Sequence, residues 1–140
     1  MRGSERFTQR ASTAITKAHD AALGMGHSYV GTEHLLLGII REGEGLGARI
    51  LTDNALTDAV LTRMVTETVG RGVPGAPEQG LSPRARHVIE LAAEDANRLG
   101  HCYVGTEHIL MGILREADSA GARIIVAADA ELTKIYTDIM

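Results

Sequence analysis

Apolar residues recur at spacings of three and four from the start of the chain. Phe7, Ala11, Ala14, Ile15, Ala18, Ala22 and Met25 fall on one face of a helix, with Thr8 placed as its N-cap. The stripe returns as Leu81, Ala85, Val88, Ile89, Ala92, Ala96 and Leu99. Ser82-Pro83 opens this second stripe, a capping residue followed by the residue best suited to a first helical position. Many stripe positions are alanine, so partner helices are expected to approach closely. Gly26 and Gly100 stand where a left-handed residue would end each helix. Thr32 and Thr106 are the N-caps expected for two further helices, whose apolar faces are Leu35-Leu36-Ile39-Ile40 and Ile109-Leu110-Ile113-Leu114. Glycines 43, 45 and 47 are expected to break the first of these. Helical patterns follow at 46–51 and 56–69, and again at 120–127 and 131–139. No strand-like alternation competes, and the fold class is all-α.

These elements come in two copies. A shift of 74 positions aligns His27-Ser28-Tyr29-Val30-Gly31-Thr32-Glu33-His34 with His101-Cys102-Tyr103-Val104-Gly105-Thr106-Glu107-His108, differing only at Ser28 and Cys102. Counted over residues 7–51 against 81–125, 22 of 45 positions are identical. Such agreement marks a duplicated supersecondary unit. The expectation is a single domain over residues 1–140 made of two tandem four-helix repeats packed with pseudo-twofold symmetry. Repeat one covers 7–69 and repeat two 81–140. Residues 70–80, rich in glycine and proline, form a linker exposed to proteolysis.

Composition narrows the function. The 140 residues are 44% apolar and 23% charged, enough to bury a core. Fourteen Lys+Arg against eighteen Asp+Glu give a net charge of −4, which opposes sequence-independent nucleic-acid binding. The first six residues lack the apolar segment of a signal peptide, and Cys102 is the one cysteine, so no intrachain disulfide forms. A cytoplasmic location is expected. The longest apolar runs, 35–40 and 124–128, fall far short of the roughly 20 residues that cross a bilayer. Sixteen glycines accompany only four aromatics, Phe7, Tyr29, Tyr103 and Tyr136. The glycines read as duplicated punctuation between short helices.

Candidate chemistry is sparse. No phosphate-binding P-loop or dinucleotide fingerprint is present, and Gly43-Glu44-Gly45-Leu46-Gly47 carries a glutamate where a phosphate loop needs a lysine. Six histidines raise a metal-dependent enzyme as one reading. Glu33 and His34, however, are neighbours that point about 100° apart on a helix, unlike the one-faced H-E-x-x-H pair. Histidines 27, 34, 101 and 108 are repeat-paired, which favours a structural role such as bonding a loop carbonyl. Cys102 as nucleophile is weakened by Ser28 in the other copy. The Gly-Thr-Glu-His segments remain. A helix start offers unpaired amides and a positive dipole end, which favour an anion, while Glu33 and Glu107 favour a cation. A ligand using both carries both signs, as a phosphorylated guanidinium does. The alternative is that these glutamates only stabilise their helix starts.

The pattern Arg6-Phe7-Thr8, Gly26-His27, Gly31-Thr32-Glu33-His34-Leu35-Leu36-Leu37-Gly38, Arg41-Glu42-Gly43-Glu44-Gly45, Ser82-Pro83-Arg84-Ala85 and Gly105-Thr106-Glu107-His108-Ile109-Leu110 resembles the Clp N-terminal repeat domain. It is most similar to the N-domain of ClpC-type AAA+ unfoldases, from Arg6 to Met140. The resemblance implies a non-catalytic domain, without cofactor or metal, that captures unfolded substrates and Clp adaptor proteins for degradation. It also implies recognition of phosphoarginine-marked proteins, by Thr32 and Glu33 in one copy and Thr106 and Glu107 in the other. A partner face that takes cyclic peptide antibiotics in such domains corresponds to Phe7, Leu81, Arg10 and Arg84. Family members often carry aromatics where this chain has Leu81 and Ser4, and Ala117-Asp118-Ser119 replaces the second Gly-Glu-Gly. The family continues past Met140 into ATPase modules, so either an excised domain or a free-standing decoy that sequesters N-domain ligands is expected.

Overall fold

The structure, a computed structural model, describes residues 6–70, 72–73 and 79–140. Ser4 and most of the 70–80 linker lie outside them. Among the described residues the helices are α1 (Gln9–Gly24), α2 (Thr32–Glu42), α3 (Leu46–Asp53), α4 (Asp58–Val69), α5 (Pro83–Arg98), α6 (Thr106–Arg115), α7 (Ala120–Ala127) and α8 (Leu132–Ile139). Each of the last four begins 74 positions after its counterpart among the first four. The all-α reading holds, and no described helix is long and apolar enough to cross a membrane.

The helix starts of α1 and α5 are as the sequence predicts. Thr8 Oγ1 accepts from Ala11 N at 3.0 Å and Ser82 Oγ from Ala85 N at 3.1 Å. Gly26 and Gly100 follow the two C-caps with φ of +72° and +77°, a backbone region that a side chain disfavours. The two halves are then stitched together by exchange. Phe7, ahead of α1, forms an isolated parallel bridge with Val104 of repeat two, and Leu81, ahead of α5, forms the same bridge with Val30 of repeat one.

Three expectations are corrected. The N-caps of α2 and α6 are Gly31 and Gly105, and Thr32 and Thr106 are the first helical residues. Their hydroxyls accept hydrogen bonds from the opposite repeat: Gly121 N donates to Thr32 Oγ1 at 2.8 Å and Gly47 N to Thr106 Oγ1 at 2.9 Å. Each threonine therefore caps α7 or α3 across the repeat boundary. Second, Gly47 does not break a helix but lies inside α3. A Cβ there would come within 3.1 Å of the Thr106 backbone and Cβ. Third, Gly38 and Gly112 are not punctuation either. They sit inside α2 and α6 where α1 and α5 cross, and a Cβ at either would overlap a backbone carbonyl oxygen, that of Ala14 or Val88.

Those close crossings make α2 and α6 the centre of the molecule. Every residue of α2 from Thr32 to Ile40 is buried, including Leu37, which lies off the predicted apolar face. Met111 is its fully buried counterpart in α6. A helix that is apolar nearly all round is one packed on all sides. The alanines of α1 and α5 let these neighbours in: Ala11, Ala18, Ala22, Ala85 and Ala92 expose nothing to solvent.

Candidate functional site

The starts of α2 and α6 are held by the paired histidines. His34 Nδ1 accepts from Gly31 N at 2.9 Å, so the ring proton is on Nε2. That proton faces His27 Nδ1 at 2.7 Å, which places the His27 proton on Nε2, where it meets the Gly70 carbonyl at 2.7 Å. The relay needs both rings neutral. Burial, reinforced by the nearby Arg41 charge, pushes His34 down to about 4. Repeat two reproduces the arrangement: Gly105 N donates to His108 Nδ1 at 2.9 Å, and His108 Nε2 lies 2.7 Å from His101 Nδ1. Burial lowers His108 too. Both nitrogens of His34 and of His108 are thus engaged within the fold, and among the described residues no three His, Cys, Asp or Glu side chains gather where they could hold a metal ion.

Beside each helix start lies an open pocket built from both repeats. One, of about 350 Å³, is lined by Gly105, Thr106, Glu107, His101, Tyr103 and His108 of repeat two and by Thr8, Arg10, Gly45 and Leu46 of repeat one. The other, of about 290 Å³, is lined by Tyr29, Gly31, Thr32 and Glu33 of repeat one and by Ser82, Arg84, Asp118, Ser119 and Ala120 of repeat two. Each pocket sets a glutamate at a helix start against an arginine from the first turn of α1 or α5. The sequence reading placed the Thr-Glu pairs and the arginines in separate sites, and the structure brings them into shared pockets.

The glutamates are not simple surface charges. Glu33 is 9% exposed and folds back over Gly31, where a Cβ would overlap its carboxylate. Burial raises its pKa, opposed by a hydrogen bond from its own backbone amide. The carboxylate thus occupies part of the amide-rich helix end, so an anion entering the pocket meets the arginine and the threonine hydroxyl. The arginines differ between pockets. Arg84 Nη1 pairs with Asp118 Oδ1 at 2.6 Å and lies 3.9 Å from Glu116 Oε1. Arg10 Nη1 donates to the Glu44 carbonyl at 3.2 Å, and among the described residues no carboxylate pairs with it.

Phe7 and Leu81 line neither pocket. Both are partly buried against the core behind their bridges. The exposed apolar groups at the pockets are instead Tyr103, Tyr29 and Leu46, at 59%, 49% and 44% exposure. The two tyrosines were visible as the aromatic position of the duplicated octapeptide, whereas Leu46 gave no separate signal. Sequence reasoning also missed Asp95. It is fully buried, and its Oδ1 accepts from Arg98 at 2.8 Å and Arg115 at 2.7 Å. Its one signal is an acid beside Ala96 where repeat one has Ala21.

Comparison with known proteins agrees with this architecture. Residues 6–128 match the family described as the Clp repeat (R) N-terminal domain. The Bacillus subtilis negative regulator of genetic competence ClpC/MecB is 41% identical over 135 residues, which is 96% of this chain and 17% of the relative. A Staphylococcus saprophyticus ClpC ATP-binding subunit is 37% identical over 96% of this chain and 16% of its own length. The chain therefore spans about a sixth of these relatives. Among solved structures, the N-terminal domain of ClpD from Arabidopsis thaliana superposes with a TM-score of 0.81 at 25% identity, covering 96% of this chain and 95% of that one. A Vibrio cholerae ClpV N-domain shares the fold, with a TM-score of 0.78 at 14% identity over 96% of this chain and 83% of that one. With its duplicated helices, crossed threonine caps and match over residues 6–128, the chain belongs to the Clp repeat N-terminal domain family.

Proposed function

We propose that this domain is a non-catalytic recognition module of a Clp unfoldase system, and that its two pockets take phosphoarginine on marked protein substrates. The observation that carries the reading is the pairing of Glu107 with Arg10, and of Glu33 with Arg84, in one pocket each. A phosphorylated guanidinium offers N–H donors to a carboxylate and phosphoryl oxygens to a guanidinium, both as charge-assisted hydrogen bonds. Plain arginine satisfies only the first half and phosphate only the second. The threonine hydroxyl, having accepted one bond across the repeats, keeps its proton to donate to a phosphoryl oxygen. A ClpV N-domain has been solved in complex with a VipB peptide, which supports a peptide segment of substrate or adaptor as the kind of partner. Tyr29, Tyr103 and Leu46 would contact residues flanking the modified arginine.

Calorimetry with free phosphoarginine tests the reading, with arginine and inorganic phosphate as controls. Phosphoarginine should bind measurably more tightly than either control. Glu33→Ala combined with Glu107→Ala should weaken it at least tenfold, since a charge-assisted hydrogen bond contributes roughly 1.5–3 kcal/mol. Absence of binding by the unaltered protein would overturn the proposal.

A further inference from the structure

The two pockets descend from one duplicated unit, yet their cationic halves are held differently. Asp118 aligns with Glu44, 74 positions earlier. In repeat one the segment turns so that, among the described residues, Arg10 donates to the backbone carbonyl of Glu44 and meets no carboxylate, and the neighbouring Glu42 carboxylate accepts from the amides of Gly45 at 2.8 Å and Glu44 at 3.2 Å. In repeat two the shorter Asp118 side chain lies directly on Arg84 at 2.6 Å, and Glu116, the counterpart of Glu42, takes His87 Nδ1 at 2.9 Å and stands 3.9 Å from Arg84. One pocket thus presents a guanidinium with a carbonyl partner, the other a guanidinium already facing carboxylates.

We infer that the pockets are unequal: the Thr106–Glu107 pocket receives the phosphorylated guanidinium first, and Asp118 sets the weaker acceptance of the Thr32–Glu33 pocket by occupying Arg84. This rests on the phosphoarginine reading above. A phosphoryl group entering the Thr32–Glu33 pocket must displace the Asp118 carboxylate from Arg84 or bind beside a like charge. Asp118 is 71% exposed, so water and salt screen the pair and the displacement is feasible. Two features act in the same direction. Glu33 is nine-tenths buried and its carboxyl is driven toward the neutral form, which weakens its hold on a cation. The Thr106–Glu107 pocket is also flanked by exposed Leu46 where the other has Ala120, so it offers more apolar contact to a flanking side chain.

The test is an NMR titration of the full chain with free phosphoarginine, following the amides of Thr106 and Glu107 against those of Thr32 and Glu33. The Thr106–Glu107 site should saturate at about two- to fivefold lower concentration, the range expected of one exposed charge pair. In Asp118→Asn the Thr32–Glu33 site should tighten and the gap between the two should narrow, and adding Arg84→Ala should abolish that gain. Equal or reversed affinities in the unaltered protein, or a Thr32–Glu33 site indifferent to Asp118→Asn, would overturn the inference and leave the phosphoarginine reading standing. Binding at neither pocket in either protein would sink both.

Discussion

A single imidazole shows how the start of α2 is held. His34 accepts from the Gly31 amide and donates its Nε2 proton in a hydrogen bond to His27, so it works only while neutral. Its folded value of about 4 lies below the ordinary 6.5. Between those values the unfolded chain binds a proton that the folded chain does not, so stability rises with pH there. The contribution is complete above about pH 6.5 and is lost as the pH falls toward 4. The difference corresponds to roughly 3 kcal/mol for this residue, with His108 adding in the same direction. His34→Gln keeps an acceptor for the Gly31 amide, as glutamine does in a capping box. Denaturant unfolding should show a loss of about 1 kcal/mol at pH 7 for the missing His27 bond, together with a flatter decline between pH 6.5 and 4. An unchanged acid slope would mean that His34 is not the titrating group.

Between elements, glycine content decides how near two helices come. Gly38 and Gly24 are both helical glycines, and exchange for alanine in an open helix position stabilises by about 0.5–1 kcal/mol. At Gly24 nothing lies within 4 Å of the added Cβ, so Gly24→Ala should raise the melting temperature slightly. At Gly38 the same methyl would overlap the Ala14 carbonyl of α1, and Gly38→Ala should destabilise by about 1–3 kcal/mol, the usual cost of overpacking. Opposite signs in parallel thermal melts would establish the crossing, and equal signs would refute it. The helix ends diverge as well. Arg41, ending α2, bonds Asp58 at 3.2 Å and Thr62 at 2.8 Å on α4, whereas its counterpart Arg115, ending α6, reaches back to buried Asp95 on α5. Duplication preserved the arginine and not its partner.

At the scale of the whole molecule, the repeats complete each other. Bridges, caps and pockets all exchange across the pseudo-twofold axis, so a site in one repeat depends on the other being folded. Thr32→Val keeps the volume but leaves the buried Gly121 amide without its acceptor, and should cost about 1–3 kcal/mol in chemical denaturation. The unfolding should remain a single transition, because neither half keeps its pocket alone. A separate early transition for one repeat would contradict that mutual dependence. On the phosphoarginine reading proposed above, two pockets in one chain would give a doubly marked protein a second, intramolecular binding step if its marks span the distance between them.

The sequence by itself determined the eight helices to within a few residues of their ends, the 74-residue duplication and the family. These are legible because periodicity, capping residues and repetition are local or self-referential. Only the tertiary structure decided that Thr32 and Thr106 cap the opposite repeat, that Gly38 and Gly112 are crossing points, and that Arg10 shares a pocket with Glu107 while Asp118 engages Arg84. The reason is physical. The threonine bonds join residues 59 and 89 positions apart, and which surface meets which at that separation is set by how two apolar faces pack about their shared axis, a property that no window along the chain contains.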